Sequence, residues 1–174
     1  MKTALKWLIV VMLAFVAGMV FSGHMLRQYR EEQRKAQDRR ERLPEAEAFT
    51  KNVLARMGLH TDIWVVRGGR WTCGWANSRF NIITLGERCN ELYRAGKIDW
   101  RVAGVLCHEI GHILNRHEGM KGVLEWASPE QVEADEFAGF AMKMMGATLD
   151  EALSGYQGME ENANREAVKR GWRR

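Results

Sequence analysis

The residues of this chain best equipped for chemistry are His108-Glu109-Ile110-Gly111-His112, which match the pattern H-E-x-x-H. Residues four apart lie on one face of an α-helix, so both imidazoles can point at a single ion. Glu109 projects from the neighbouring strip of the helix, where it can reach a water bound to that ion. A zinc hydrolase of this type needs at least two neutral nitrogen ligands and an adjacent carboxylate. The spacing therefore predicts a Zn²⁺ cofactor held by His108 and His112, with Glu109 as the catalytic base.

The sequence around this motif is apolar. An uncharged segment, residues 102–107, precedes it, and Ile113-Leu114 follow it. This pattern is typical of a buried helix. The alternative is a pair of surface histidines, but a His-Glu-His cluster on a buried helix is costly unless a metal or hydrogen bonds satisfy it. Burial therefore favours the metal site.

A second, acidic segment supplies the ligand that two histidines leave missing from a catalytic zinc. Ser128 is a natural N-cap and Pro129 suits a first helical turn, so a helix is predicted to start there. Each acid on this helix alone fits a solvated face, but the missing ligand favours one of them reaching the metal. The carboxylates are Glu130, Glu133, Asp135 and Glu136.

Three segments carry a family resemblance: HEIGHILNRH, ANSRFNIITLG and VEADEFAGFAMKMMGA. Together they resemble the zinc endopeptidase family of CaaX prenyl proteases and HtpX-like membrane proteases, over residues 45–172. The resemblance implies a zincin-like fold, mostly helical with a small sheet, that hydrolyses protein or peptide substrates. It also implies the family's usual role, the quality control of envelope proteins.

The resemblance assigns supporting residues as well. His117 matches the family's further histidine after the second ligand, and Asp135 matches an aspartate that accepts a hydrogen bond from a ligand histidine. Arg165 matches an arginine of the C-terminal helix, although the family's usual His-Pro is missing before it. Ala76-Asn77-Ser78 matches only in part the Asn-Ala sequence of the family's edge strand.

One departure from the family concerns the third ligand. The family has a glutamate four residues before its aspartate, where this chain has Gln131. A regular helix aims Gln131 at the metal, but zinc prefers an anionic oxygen to an amide. Of the alternatives Glu130 and Glu133, Glu130 is predicted because the first turn after Pro129 adapts most easily. The departure also motivates a second hypothesis, a catalytically weak or inactive relative that serves as a binding or scaffold module.

The charge of the chain is unevenly distributed. The net charge of +4 arises in residues 1–42 and in the last ten, whereas residues 43–164 hold twelve basic and seventeen acidic side chains. Binding to nucleic acid would require positive charge on the folded surface, so no nucleic-acid partner is expected. The basic flanks are better placed to meet anionic lipid headgroups. A third hypothesis is therefore an adaptor in which a basic stalk is the functional part.

Residues 1–26 are predicted to be a membrane anchor or a signal segment. Lys2 and Lys6 precede an uncharged run, Trp7 to Leu26, which is just long enough to span a bilayer. A cleaved signal peptide is the alternative, since only Trp7 to Phe21 is strongly apolar. An uncleaved anchor is favoured, which predicts a membrane-associated protein with its catalytic domain outside the cytoplasm.

The rest of the chain is predicted to comprise an exposed helical stalk, residues 27–44, and a zinc metallopeptidase domain, residues 45–174. An α+β fold is expected for that domain. Helices are predicted at 45–57, 87–95, about 99–117, after Pro129 and from about 160, and strands at 62–66, 71–75 and 81–85. In an oxidising compartment Cys73 and Cys89 could pair, which would leave Cys107 as a small buried residue.

Overall fold

The computed structural model describes residues 41–70, 73–117, 128–156 and 163–174. The predicted anchor, residues 1–26, and nearly all of the predicted stalk lie outside these ranges. Across the described ranges, no helix is both long and apolar enough to cross a membrane. One compact unit spans Arg42–Arg174.

The first helix of the described residues, α1 (Pro44–Arg56), begins at a proline and is followed by strand β1 (Trp64–Arg67). Proline suits the first helical turn because the backbone N–H there has no partner within the helix. The two residues before α1 pair with β1: the Leu43 N–H donates to the Val65 carbonyl at 2.9 Å, and Arg42 forms a β-bridge to the same strand. This pairing covers the outer edge of β1.

Three short strands form a mixed sheet in the order β1–β3–β2, where β2 is Gly74–Asn77 and β3 is Ile82–Leu85. β3 runs parallel to β1 and antiparallel to β2. β3 is the central strand and is almost completely buried, whereas β2 forms an edge of the sheet.

A disulfide joins Cys73, the residue before β2, to Cys89, with the two Cα atoms 5.2 Å apart. This is the pairing that the sequence allowed, and Cys107 is free and buried. The bridge ties the start of β2 to the chain that leaves β3.

The prediction of a helix at residues 87–95 is wrong. Glu87–Cys89 form a single 3₁₀ turn, and the chain then makes a hairpin of two strands, β4 (Tyr93–Arg94) and β5 (Lys97–Ile98). Between them, Ala95-Gly96 have positive φ angles of 49° and 75°. Positive φ at both central residues gives the tight turn whose twist matches that of paired strands, and glycine adopts it without steric cost.

Three further helices contribute to the core: α2 (Trp100–Leu114), α3 (Pro129–Met144) and α5 (Ala163–Arg173). A short helix, α4 (Leu149–Ala152), lies between α3 and α5 in the chain. Their buried residues pack with those of α1 and the sheet into one core. The architecture is α+β, as predicted. Helices α1, α2, α3 and α5 lie where the sequence placed them to within a few residues, whereas α4 was not predicted.

Two glycines allow α3 and α5 to pack backbone against backbone. A Cβ on Gly139 would lie 2.1 Å from the Val168 carbonyl oxygen, and a Cβ on Gly171 would lie 1.7 Å from the Glu136 carbonyl oxygen. Any larger residue would therefore push the helices apart. This contact holds α5 directly against the helix that carries Gln131 and Asp135.

Candidate metal centre

The two histidines of the motif converge on one point. His108 and His112 lie one turn apart on α2, and their Nε2 atoms are 2.9 Å from each other. In a tetrahedral site with zinc–nitrogen bonds of about 2.0–2.1 Å, two ligand nitrogens lie roughly 3.3 Å apart. Small rotations of the two rings would therefore make room for the ion, so the pair fits zinc.

The third side chain at this point is Gln131. Its amide lies 3.2 Å from His112 Nε2, and it also hydrogen-bonds to His108. Rotation of the amide exchanges its oxygen and nitrogen, so either atom can face the histidines. α3 begins as a regular helix, because the predicted N-cap Ser128 accepts a hydrogen bond from the Gln131 N–H at 3.3 Å. This regular start aims Gln131 at the histidine pair.

The other two candidate ligands lie elsewhere on α3. The Glu130 side chain is exposed on the first turn. Glu133 is 61 % exposed, and its Oε2 lies 3.2 Å from His117 Nε2. Within the part of the chain that the structure describes, no three His, Cys, Asp or Glu side chains form a group that could hold a metal. The geometry thus brings two histidines together with an amide, and not with the predicted Glu130.

Asp135 orients the first histidine. His108 Nδ1 lies 2.7 Å from Asp135 Oδ1, and Asp135 is only 1 % exposed. Burial by itself lowers the pKa of His108, but the hydrogen bond and the charge of Asp135 outweigh burial and raise that pKa. A ring that donates its Nδ1–H to a carboxylate presents the Nε2 lone pair to a metal. Asp135 therefore contacts the ring that the resemblance implied it would support.

His117 contacts the second histidine. Arg116, just after α2, adopts the left-handed conformation with φ 55°, and the His117 N–H donates back to the His112 carbonyl at 3.0 Å. This Schellman-type helix end folds the chain over the last turn. It brings His117 Nδ1 to 2.8 Å from His112 Nδ1. Burial, then the charges of His108 and His117, lower the pKa of His112 to about 4, which keeps its ring neutral near pH 7.

Glu109 lies between α2 and the edge strand. Its side chain is 7 % exposed and accepts a hydrogen bond from the Ala76 backbone N–H. A Cβ on Gly74 would lie 2.7 Å from Glu109 Oε1 and 2.6 Å from Val105 Cγ1, so glycine is what allows β2 to approach α2 this closely. Burial raises the pKa of Glu109 to about 7, although His108 and the Ala76 N–H act to lower it.

The outer edge of β2 borders this carboxylate. In an antiparallel pair, alternate residues direct their backbone groups toward the partner strand and away from it. The Gly86 N–H donates to the Cys73 carbonyl at 3.0 Å, so in this register Ala76 and Gly74 belong to the set that points away from β3. The turn after β2 is fixed to the end of α2, since Ser78 Oγ donates to the His117 carbonyl at 2.8 Å. The partial family match at residues 76–78 therefore lies beside the motif helix.

Two residues that the sequence did not single out also contact the site. The Tyr156 hydroxyl donates to Asp135 Oδ1, and Asn164 Nδ2 donates to Asp135 Oδ2 at 2.6 Å. Neither lies in a motif, so only the fold of the chain could identify them. Arg165, which the resemblance singled out, is the next residue of α5 and is partly buried.

No protein-family model, curated protein or solved structure matches this chain. The family resemblance therefore stays a prediction from the sequence, and the geometry of the site is the basis for assigning a function.

Proposed function

We propose that this chain is a zinc-dependent endopeptidase, held at a membrane by residues 1–26. The observation that carries the proposal is the convergence of His108 and His112, whose Nε2 atoms are 2.9 Å apart while both Nδ1 atoms contact other side chains. In the tautomers proposed for the metal site, both rings donate through Nδ1, so that the two Nε2 lone pairs face each other. A shared cation is what satisfies two such lone pairs.

In the proposed site His108, His112 and Gln131 hold the zinc. Gln131 replaces the predicted Glu130 because the capped, regular first turn of α3 brings its amide to the histidines. An amide oxygen is a weaker zinc ligand than a carboxylate, so the affinity for zinc is expected to be lower than in a site with a glutamate. When bound, zinc supplies Lewis acidity to the scissile carbonyl and to the attacking water.

Glu109 is the proposed catalytic base. A carboxylate with a pKa of about 7 can take a proton from water near neutral pH and return it to the leaving amine nitrogen. General-base catalysis of this kind typically contributes on the order of 10²–10⁴-fold to the rate. Its position beside Gly74 and Ala76 would put this proton transfer next to the strand that binds the substrate.

The proposed substrate is an extended segment of protein that adds to β2 as a further strand. β2 is the edge strand that borders Glu109, whereas the outer edge of β1 is already paired with residues 42–43. Binding by strand addition uses main-chain hydrogen bonds, which are available in any extended peptide. A broad substrate range is therefore expected, and quality control of envelope proteins is one role that such a range suits.

We further propose that the domain works outside the cytoplasm. The disulfide between Cys73 and Cys89 fits an oxidising compartment. The anchor lies outside the described ranges, so membrane attachment is proposed from the apolar run Trp7 to Leu26 alone.

The second candidate is a catalytically weak or inactive module that keeps the fold for binding. The amide of Gln131 at the third position favours it, because a ligand set without negative charge holds zinc less tightly. Both candidates predict some binding of zinc, so the metal content alone does not separate them.

Zinc content and proteolysis of the full chain test the proposal together. Protein purified without chelator should contain about one zinc per chain, as expected for a single site, and His112→Ala should lose it. The parent should cleave casein, and chelator should abolish cleavage. Glu109→Gln should keep its zinc but lose roughly 100-fold or more of the activity, whereas Glu45→Gln, an exposed control on α1, should lose none. A parent that holds zinc and cleaves nothing would establish the scaffold instead, and full zinc in His112→Ala would refute the site.

A further inference from the structure

The Asp135 carboxylate accepts hydrogen bonds from three different parts of the fold. Oδ1 accepts from His108 Nδ1 at 2.7 Å and from the Tyr156 hydroxyl, and Oδ2 accepts from Asn164 Nδ2 at 2.6 Å. His108 belongs to α2, Tyr156 follows α4, and Asn164 lies in the first turn of α5. Two of the three donors therefore come from the C-terminal part of the chain.

These contacts determine how Asp135 is oriented. The residue is 1 % exposed, so its carboxylate depends on hydrogen bonds rather than on bulk solvent. A single hydrogen bond to His108 would leave the carboxylate free to rotate about its side-chain bonds. Donors to both oxygens fix the plane of the carboxylate, and that plane determines the direction in which the His108 ring is held.

The packing of α5 against α3 determines where one of the donors lies. The close backbone contacts at Gly139 and Gly171 leave little freedom for α5 to slide along α3. Asn164 is part of α5 and Asp135 is part of α3, so the contact between their side chains depends on this packing.

We propose that Tyr156 and Asn164, together the C-terminal clamp, are positioning residues for the metal centre. They fix the orientation of the Asp135 carboxylate and through it the orientation of the His108 ring, so that His108 Nε2 faces the ion. Neither residue of the clamp is among the proposed zinc ligands. The inference rests on the proposed zinc site and extends it to residues that follow the motif by about fifty positions.

The test compares zinc affinity in matched pairs of variants of the full chain. Tyr156→Phe and Asn164→Ala each remove one donor, whereas Tyr93→Phe and Asn52→Ala make the same changes at exposed positions on β4 and α1. The dissociation constant for zinc is measured by competition with a chromophoric chelator. Each clamp variant should bind zinc about 10-fold more weakly, a typical effect of removing an outer contact of a metal ligand. The controls should stay within about twofold of the parent. Clamp variants that also stay within that range would overturn the proposal.

Two further measurements separate positioning from general stability. In an Asp135→Asn background, Asn164→Ala should have little further effect on zinc affinity, because both act through the same contact. An undiminished effect would mean that Asn164 does not act through Asp135. In the metal-free protein at pH 9, ¹⁵N NMR of the His108 ring should show the Nδ1–H tautomer in the parent and a shift toward the Nε2–H tautomer in both clamp variants.

The NMR result also keeps the inference separate from the proposed function. If the parent binds no zinc, the proposed function fails, and the His108 tautomer is then the measurement that tests the role of the clamp. The Nδ1–H tautomer retained in both variants would then overturn it. Tyr156→Phe removes only one oxygen atom, so it provides the test even if Asn164→Ala does not fold.

Discussion

Replacing Glu109 by glutamine should stabilise the metal-free protein at alkaline pH. The carboxylate is 7 % exposed, and burial raises its pKa from 4.5 to about 7. Its folded-state pKa therefore exceeds its unfolded-state pKa, so its favourable contribution is complete below pH 4.5 and is lost as the pH rises through about 7. Above that range the folded protein holds a buried anion, and glutamine removes that anion while keeping a similar shape.

The expected size follows from the shift in pKa. A difference of one pKa unit corresponds to about 1.4 kcal/mol, so a rise from 4.5 to about 7 corresponds to about 3 kcal/mol. The advantage of Glu109→Gln over the parent should therefore grow by about 3 kcal/mol between pH 4.5 and pH 8. His108 and His112 titrate in both proteins, so their contributions enter both stability curves.

Urea denaturation followed by tryptophan fluorescence, in the presence of chelator, measures this difference across the pH range. The free energy of unfolding of Glu45→Gln, an exposed control, should differ from that of the parent by the same amount at every pH. Saturating zinc should reduce the difference in unfolding free energy between Glu109→Gln and the parent, since a neighbouring cation favours the ionised carboxylate. A constant difference between Glu109→Gln and the parent from pH 4.5 to pH 8 would refute the inferred burial of this charge.

Four other substitutions test the contacts around the site. Gln131→Glu should tighten zinc binding by about tenfold or more, whereas Glu130→Ala should leave the affinity within about twofold of the parent, both measured by chelator competition. The opposite ranking would mean that Glu130 is the third zinc ligand. Gly74→Ala should destabilise the protein by about 1–3 kcal/mol in urea and slow hydrolysis, because its Cβ would lie 2.7 Å from Glu109 Oε1. An unchanged urea midpoint would contradict that contact. Arg116→Gly should stabilise the protein by about 0.5–1 kcal/mol, because φ is 55° there; a loss of stability would show that the arginine side chain outweighs this strain.

The helices that carry the site were predictable because their signals are local. The apolar periodicity around the motif and the cap at Ser128-Pro129 define α2 and α3 without reference to the rest of the chain. The hairpin of β4 and β5 was not predicted. Residues 87–95 have ordinary helix formers, and the turn that replaces the helix depends on positive φ at Ala95-Gly96. Helix propensities are values for single residues, so they contain no information about a turn that depends on the pairing of the two strands beside it.

In the candidate site, too, the contacts within one helix were predictable from the sequence and the contacts between distant segments were not. The spacing of His108 and His112 fixes their convergence within one helix, so the sequence was enough to predict it. The contacts of Tyr156 and Asn164 depend on how the C-terminal part of the chain packs on α3. Packing of that kind is determined by close contacts such as the one at Gly139, which have no signature of their own in a single sequence.

The third position is where chemistry and geometry pointed to different residues. Chemistry favoured the carboxylate of Glu130, on the assumption that the start of α3 could be re-aimed. The hydrogen bond from the Gln131 N–H to Ser128 instead makes the first turn regular, and regularity brings the amide to the histidines. The preference of zinc for an anionic ligand is a statement about affinity, whereas the direction of a side chain is a matter of backbone geometry. In this helix the backbone contact decides the direction.

A neutral third ligand does not by itself indicate an inactive protein. Apart from the proposed base Glu109, the carboxylates beside the proposed site act through other side chains: Asp135 through His108, and Glu133 through His117. With no anion among its direct ligands, a bound zinc would keep more of its positive charge for polarising a carbonyl, although it would be held less tightly. Weak binding and strong polarisation would then have the same cause. Activity measured at saturating zinc is therefore the quantity that separates an enzyme with a weak site from a scaffold, since only the enzyme gains proteolysis as the zinc concentration rises.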